Sequence, residues 1–113
     1  MNFNENHSIY LQIADSICEN ILADSWKANE RIPSVREYAI DIAVNPNTVM
    51  RSYSYLLDKD ILTNQRGVGY FVHQDGKANA LKLLRDDFNK TFLPEFFKKI
   101  KLLGISVEDI VKG

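Results

Sequence analysis

The 113-residue sequence lacks three features that would assign it to a class at once: cysteine pairs, long apolar runs and an excess of basic charge. Its single cysteine, Cys18, cannot form an internal disulfide, so the fold depends on an apolar core. No apolar run approaches the roughly 20 residues that a membrane-spanning helix needs, and the N-terminus has no signal-peptide pattern. We therefore expect a reduced, cytoplasmic protein that does not interact with a membrane.

Basic and acidic side chains nearly balance, with 14 Lys and Arg against 15 Asp and Glu. This balance gives no indication of nucleic acid binding, for which basicity of the whole chain is the usual sign. The charges are unevenly distributed, however, because residues 1–24 contain four acidic side chains and no Lys or Arg. Four of the six basic side chains in residues 25–72 are arginines, which suit phosphate oxygens and base edges. Charge alone favours an ordinary mixed surface and leaves DNA binding open.

The first predicted helix covers residues 8–23, where isoleucines recur every four residues. This spacing places one apolar face of the helix toward the core. The isoleucines of that face are Ile9, Ile13, Ile17 and Ile21. Cys18 lies beside them and is expected to pack as a small apolar side chain, because the neighbouring Glu19 does not favour a reactive thiolate.

Two further helices are predicted in close succession. Ser34 and Glu37 have the spacing of a capping box, which indicates a short helix that ends near Ala43. Asn45 is a good N-cap and Pro46 suits the first helical position, so the next helix begins there. Two helices of this length, joined by two or three residues, form a helix-turn-helix.

A β-hairpin is predicted to follow. The β-prone runs 61–63 and 70–72 flank a loop that contains Gly67 and Gly69, which can supply positive φ angles or a close backbone approach. A helix-turn-helix followed directly by a hairpin is a winged helix. We therefore predict a mostly α fold with one small β-hairpin, in which residues 1–73 form the winged helix-turn-helix domain.

Residues 74–113 are predicted to form a separate helical region, which Pro94 interrupts and Gly104 caps. Its apolar side chains at helical spacing are Leu81, Leu84, Phe88, Phe92, Phe96, Phe97, Ile100 and Leu103. A region this short cannot bury four phenylalanines by itself. We therefore expect them to pack against the first helix, a second copy of the chain, or both. We take them as the candidate dimerisation surface.

Four motifs together resemble the GntR family of bacterial transcription regulators, in the family's order and near its spacing. The motifs are Ile9-Tyr10-Leu11-Gln12-Ile13, Arg31-Ile32-Pro33-Ser34-Val35-Arg36-Glu37, Val44-Asn45-Pro46-Asn47-Thr48-Val49 and Arg66-Gly67-Val68-Gly69-Tyr70-Phe71-Val72. The Asn-Pro-Asn-Thr variant and the short helical tail are most similar to the YtrA-like subfamily. Many GntR proteins have an arginine where this chain has Pro46, so a base contact from that position is absent.

The resemblance implies a homodimeric transcription regulator, a repressor, that binds a near-palindromic operator in double-stranded DNA. The DNA-binding residues that it implies are Ser34, Arg36, Asn47, Thr48, Arg51, Ser52, Arg66 and Gly67. Asn47 and Arg51 have side chains that pair with adenine and guanine, whereas Arg66 is assigned to the DNA backbone or the minor groove. Helix capping is a competing role for Asn47 and Thr48. Tyr55 either contacts a phosphate or packs internally.

An alternative function is a winged-helix module that binds a protein partner through its Phe-rich helical tail. An enzyme is not expected, because the sequence has no paired carboxylates, no nucleophile–base spacing and no cluster of metal ligands. We accordingly expect no cofactor and no metal. The sequence does not indicate whether a small-molecule effector binds.

Overall fold

The computed structural model describes residues 8–113, which form six α-helices and one β-hairpin in sequence. The helices are α1 (Ile9–Leu22), α2 (Val35–Ile42), α3 (Pro46–Asp58), α4 (Gly76–Asp87), α5 (Leu93–Leu102) and α6 (Val107–Lys112). The strands are β1 (Leu62–Gln65) and β2 (Gly69–Val72), and a π-helical turn (Phe88–Phe92) joins α4 to α5. The predicted fold class, mostly α with one small hairpin, is confirmed.

The chain folds as two compact units that divide after Lys82. The first unit contains α1 to α3, the hairpin and the beginning of α4, and the second unit is Leu83–Gly113. The start of α4 belongs to the first unit because Gly76 is buried there. A Cβ at Gly76 would lie only 2.7 Å from the Ile61 carbonyl oxygen. The domain boundary after residue 73 stays a prediction.

The third helix forms the centre of the first unit, with α1 and α2 packed against it. Its inward face consists of Val49, Tyr53 and Leu56, which are all fully buried. The Tyr53 hydroxyl donates a hydrogen bond to the Pro33 carbonyl at 2.8 Å, and burial raises the pKa of this hydroxyl. The buried tyrosine therefore fixes α3 to the beginning of α2.

The first helix buries the face that its four-residue spacing predicts, with one exception. Ile13, Ile17 and Ile21 are buried, and the Cys18 side chain beside them is fully buried, as expected. Ile9 is 55% exposed, because an open groove between α1 and α3 lies next to it. The prediction that Ile9 shares the buried face is wrong.

Both helix caps of the helix-turn-helix form as predicted. The Ser34 hydroxyl accepts a hydrogen bond from the Glu37 amide at 3.1 Å, and the Glu37 carboxylate accepts one from the Ser34 amide at 2.9 Å. These bonds, first that from the Ser34 amide, lower the pKa of Glu37. The Asn45 side chain accepts a hydrogen bond from the Asn47 amide at 2.8 Å, and Pro46 begins α3.

The hairpin is tighter than the sequence predicts. Its antiparallel register runs from Leu62 opposite Val72 to Gln65 opposite Gly69, which leaves a three-residue loop. Ile61, predicted to lie in the first strand, instead precedes it, because its amide donates to the Leu56 carbonyl and closes the end of α3.

Pro94 does not interrupt the helix, contrary to the prediction. The backbone keeps right-handed helical dihedrals at Asp87, Phe92 and Leu93 and continues into α5. The π-helical turn just before the proline is the reason, because the Leu93 amide bonds the Phe88 carbonyl five residues back. This wider turn relieves the clash that a proline ring makes with the carbonyl four residues earlier. Gly104, with φ of 68°, follows α5 as its predicted cap.

Candidate nucleic-acid interface

The outward face of α3 is mostly polar along its first two turns. Because a helix repeats every 3.6 residues, the burial of Val49 and Tyr53 turns the opposite side of α3 to solvent. The exposed side chains there are Asn47, Met50, Arg51 and Ser54. The amide and guanidinium groups among them are of the kind that hydrogen-bond base edges in the major groove.

Three of the predicted DNA-binding residues lie together at the beginning of α3. Asn47, Thr48 and Arg51 line an open groove of about 410 Å³, whose other wall is the first turn of α1. The capping role that competed for Asn47 belongs to Asn45, whose side chain bonds the Asn47 amide. The side chain of Asn47 is exposed beside the groove.

Ser52 does not belong to this surface, and its prediction as a DNA contact is wrong. It is fully buried, and its hydroxyl donates to the Tyr10 carbonyl oxygen at 2.6 Å. The same hydroxyl lies 3.2 Å from the Thr48 carbonyl oxygen, one helical turn earlier. Its position three residues after Val49 places it on the buried face of α3, where its polarity serves the contact with α1.

Arg51 contacts an aromatic ring of α1. Its guanidinium carbon lies 4.1 Å from the centroid of the Tyr10 ring, and the edge of that ring meets Tyr55 at a centroid distance of 6.2 Å. Tyr55 is half-buried and packs against α1, which favours internal packing over a phosphate contact for this side chain. The Lys59 ammonium lies 5.6 Å from the centroid of the Tyr55 ring.

The predicted residues of α2 and the hairpin occupy two flanks of α3. Arg36 is exposed in the first turn of α2, beside the capping Ser34. Arg66 and Gly67 are exposed in the hairpin loop, where Gly67 has a φ of 77°. The Tyr70 hydroxyl of β2 lies 3.8 Å from the Met50 sulfur, so the hairpin touches α3 beside its exposed face.

Two further residues lie at this surface that the sequence pattern did not indicate. Arg31 is exposed, forms a bridge to Phe71, and places its guanidinium against the hairpin backbone. A Cβ at Gly69 would be 2.9 Å from the Arg31 Nε. The available signal was Gly69 itself, since a glycine within a strand often marks the close approach of another group. Met50 could have been found from its position three residues after Asn47.

The predicted dimerisation residues remain largely exposed within the chain. Phe88, Phe92 and Phe97 are 48–53% exposed, and the rings of Phe88 and Phe92 stack at 4.9 Å. Leu81 and Leu103 are also exposed, Leu84 and Phe96 are half-buried, and Ile100 is buried. Ile100 therefore contributes little surface, whereas the phenylalanines leave an uncovered apolar face.

Other kinds of site are not found in the part of the chain that the structure describes. Among residues 8–113, no group of three His, Cys, Asp or Glu side chains is placed to hold a metal ion. None of the helices within the same residues is long and apolar enough to cross a membrane.

Comparison with known proteins agrees with this geometry. The family model described as "Bacterial regulatory proteins, gntR family" matches residues 9–72. The chain is 37% identical over 111 residues to the uncharacterized HTH-type transcriptional regulator YhcF of Bacillus subtilis, over 98% of this chain and 90% of the relative. It is 35% identical over 74 residues to the HTH-type transcriptional repressor YtrA of the same organism, over 66% of this chain and 57% of the relative.

A solved structure extends the similarity to the fold. The putative transcriptional regulator of the GntR family from Bacteroides thetaiotaomicron superposes with a TM-score of 0.73 at 46% identity, over 93% of this chain and 91% of that chain. Proteins of this family regulate transcription through a DNA-binding helix-turn-helix and are not enzymes, as predicted. The chain thus belongs to the GntR family of bacterial transcription regulators, with its relatives in the YtrA-like subfamily.

Proposed function

We propose that this protein represses transcription in the bacterial cytoplasm by binding a near-palindromic operator as a homodimer. The observation that carries DNA reading is the exposed polar face at the start of α3, with the hairpin in contact beside it through Met50 and Tyr70. Repression is supported by the relative YtrA, which is described as a transcriptional repressor.

The exposed face of α3 enters the major groove, as the second helix of a helix-turn-helix does. Asn47 pairs with adenine and Arg51 with guanine, while Thr48 contacts the groove beside them. Arg36 and Ser34 contact the phosphate backbone or a base edge from the start of α2. Arg66 and Gly67 bring the hairpin loop to the backbone or the minor groove.

Dimerisation is supported by the apolar face of the second unit. Phe88, Phe92 and Phe97 expose about half of each side chain, and a two-fold contact between copies would cover them. Two recognition helices then meet successive faces of the major groove, about 34–36 Å apart. This spacing requires an operator with two half-sites, one for each copy.

The test compares two arginines on two DNAs. The probes are a fragment of the source genome selected by its binding to the wild-type protein, and a random duplex of equal length. We expect Arg51→Ala to weaken binding to the selected fragment about tenfold or more, since a bidentate base contact contributes about 1–3 kcal/mol. Binding to random DNA should change less than about twofold. Arg66→Ala should weaken binding to both DNAs by similar factors.

Arg85→Ala is the matched control, because Arg85 is an exposed arginine of α4 that belongs to the second unit and not to the helix-turn-helix. It should leave both affinities unchanged. Equal losses on the two DNAs for Arg51→Ala would contradict base reading by this side chain. A wild-type protein with no preference for any genomic fragment would contradict the proposed function as a whole.

A further inference from the structure

We propose that Tyr10 of α1 is a positioning residue for DNA recognition, whose ring holds the Arg51 guanidinium in the orientation that meets DNA. This inference rests on the proposed DNA-reading role of Arg51. It starts from the position of the Arg51 guanidinium over the Tyr10 ring, with the guanidinium carbon 4.1 Å from the ring centroid. Both residues line the open groove between α1 and α3, so the stack lies at the surface.

A ring is well suited to orient an arginine without competing for its hydrogen bonds. The guanidinium N–H groups lie in the plane of the group, whereas the ring covers only its face. Stacking on Tyr10 therefore leaves the N–H edges available to a guanine or a phosphate. An exposed arginine otherwise loses up to about 2 kcal/mol of rotamer entropy when it binds, and a stacked one has already lost part of it.

Tyr10 is itself fixed by α3 at two points, one on its backbone and one on its ring. Ser52, the residue after Arg51, donates its buried hydroxyl to the Tyr10 carbonyl at 2.6 Å. Tyr55, one turn beyond Arg51, meets the Tyr10 ring edge-on with an interplanar angle of 78°. These two contacts set the position of α1 against α3 next to Arg51. The Tyr10 ring therefore has a defined place relative to the exposed face of α3.

Tyr10 lies one turn before the first core residue of α1, at the partly exposed end of the buried face. The core residues of that helix begin at Ile13, whereas Tyr10 is half-buried and its neighbour Ile9 is 55% exposed. Removal of the ring should therefore affect the orientation of Arg51 more than the stability of the fold. This difference makes the role of Tyr10 measurable.

The experiment is a double-mutant cycle on the full-length protein, with the selected genomic fragment and random DNA as probes. Tyr10→Leu removes the ring face, and Tyr10→Phe retains it. We expect Tyr10→Leu to weaken binding to the selected fragment about three- to tenfold and binding to random DNA less than twofold. Tyr10→Phe should bind as the wild type does. In an Arg51→Ala background, Tyr10→Leu should cause no further loss.

An NMR measurement reports the stack without DNA. The Arg51 side-chain Nε–H resonance should show a ring-current shift in the wild type and in Tyr10→Phe, and should lose it in Tyr10→Leu. Tyr10→Gln, which keeps a good helix former at this position, replaces Tyr10→Leu if the latter unfolds at a lower urea concentration. Each variant is compared with the wild type in urea unfolding.

The outcomes separate this inference from the function on which it rests. If the wild type prefers the selected fragment but the losses from Tyr10→Leu and Arg51→Ala multiply, the positioning role is overturned and the proposed function stands. The positioning role is also overturned if Tyr10→Leu binds as well as Tyr10→Phe. If the wild type prefers no fragment, the proposed function fails and the role of Tyr10 fails with it.

Discussion

Ser52 is a buried polar side chain of α3 that joins this helix to α1 through a hydrogen bond. A serine within a helix commonly bonds the carbonyl one turn earlier, which here is that of Thr48 at 3.2 Å. The Tyr10 carbonyl oxygen is nearer, at 2.6 Å, and accepts the hydrogen bond from the hydroxyl. The Ser52 side chain thus links α3 to α1, in addition to its contact within α3.

Replacement of Ser52 by alanine should lower the free energy of unfolding by about 1–2 kcal/mol, because a buried interhelical hydrogen bond is lost. Ser54→Ala is the matched control, since Ser54 lies exposed in the same helix and the gain in helix propensity is the same. Urea unfolding monitored by circular dichroism measures both variants. Equal shifts in the two midpoints would show that the Ser52 bond contributes nothing.

The residues of the candidate site could be predicted only where local chemistry decides their roles. Asn47 and Arg51 follow from an N-cap and a helical period, and the structure exposes both. Ser52 could not be placed from residue type, because a serine suits a wet surface and a buried interhelical bond equally well. Arg31 could not be placed because its contact with Gly69 joins segments that are distant in the chain.

At the scale of elements, the hairpin depends on two glycines with different constraints. Gly67, in the loop, has a φ of 77° and nothing within 4 Å of the position of a Cβ. Gly69, in β2, has a φ of 146°, and a Cβ there would meet the Arg31 guanidinium. Other residues can adopt the backbone conformation of Gly67 with some strain, whereas that of Gly69 is found almost only in glycine.

Gly69→Ala should therefore destabilise the protein more than Gly67→Ala. We expect a loss of about 1 kcal/mol for Gly67→Ala and about 2–3 kcal/mol for Gly69→Ala in urea unfolding. Because the Arg31 guanidinium can swing aside, Gly69→Ala in an Arg31→Ala background should recover little of the loss. A full recovery there would mean that the contact, and not the backbone angle, accounts for the glycine.

Elements set by local signals could be predicted well, and those set by wider context could not. The capping box of Ser34 and Glu37 and the Asn45 cap locate the starts of α2 and α3. Pro94 predicts a helix end by the same kind of rule, but a π-helical turn carries the chain past it. Such a turn has no local sequence signature, since it depends on the segments on both of its sides continuing as helix.

At the scale of the whole molecule, the apolar face of the second unit is the feature that supports the proposed dimer. Phe92 is 53% exposed and stacks between Phe88 and Phe96 at centroid distances of 4.9 and 5.7 Å. A charge at the middle of this stack would oppose burial against a second copy. The assembly is therefore sensitive to one side chain that the isolated chain does not need for its core.

Phe92→Glu should convert the proposed dimer to a monomer and weaken binding to the selected fragment, because each copy then binds only one half-site. Light scattering at tens of micromolar measures the mass. Lys90→Glu, a change at another exposed position two residues earlier, should leave the dimer intact. A wild-type protein that is monomeric at this concentration would contradict the dimer and favour a tail that binds a different protein.

The net charge of the whole chain indicated little, because the position of each arginine matters more than the total. A chain of net charge −1 nevertheless belongs to a family of DNA-binding regulators. Four arginines occur between residues 31 and 66, on α2, α3, the hairpin and the segment before α2. The sequence motifs already singled out Arg36, Arg51 and Arg66, and only the position of Arg31 required the structure.

The burial of Cys18 offers a route to spectroscopic labels. The sequence has one cysteine, and its side chain is fully enclosed in the folded chain, so thiol-directed dyes and spin labels should not reach it. A cysteine introduced at an exposed site of the hairpin or α3 would then carry the label alone, with the native thiol left in place. In the proposed dimer, each such substitution places one label on each copy. The distance between the two labels then measures the separation of the two winged helix-turn-helix units on DNA.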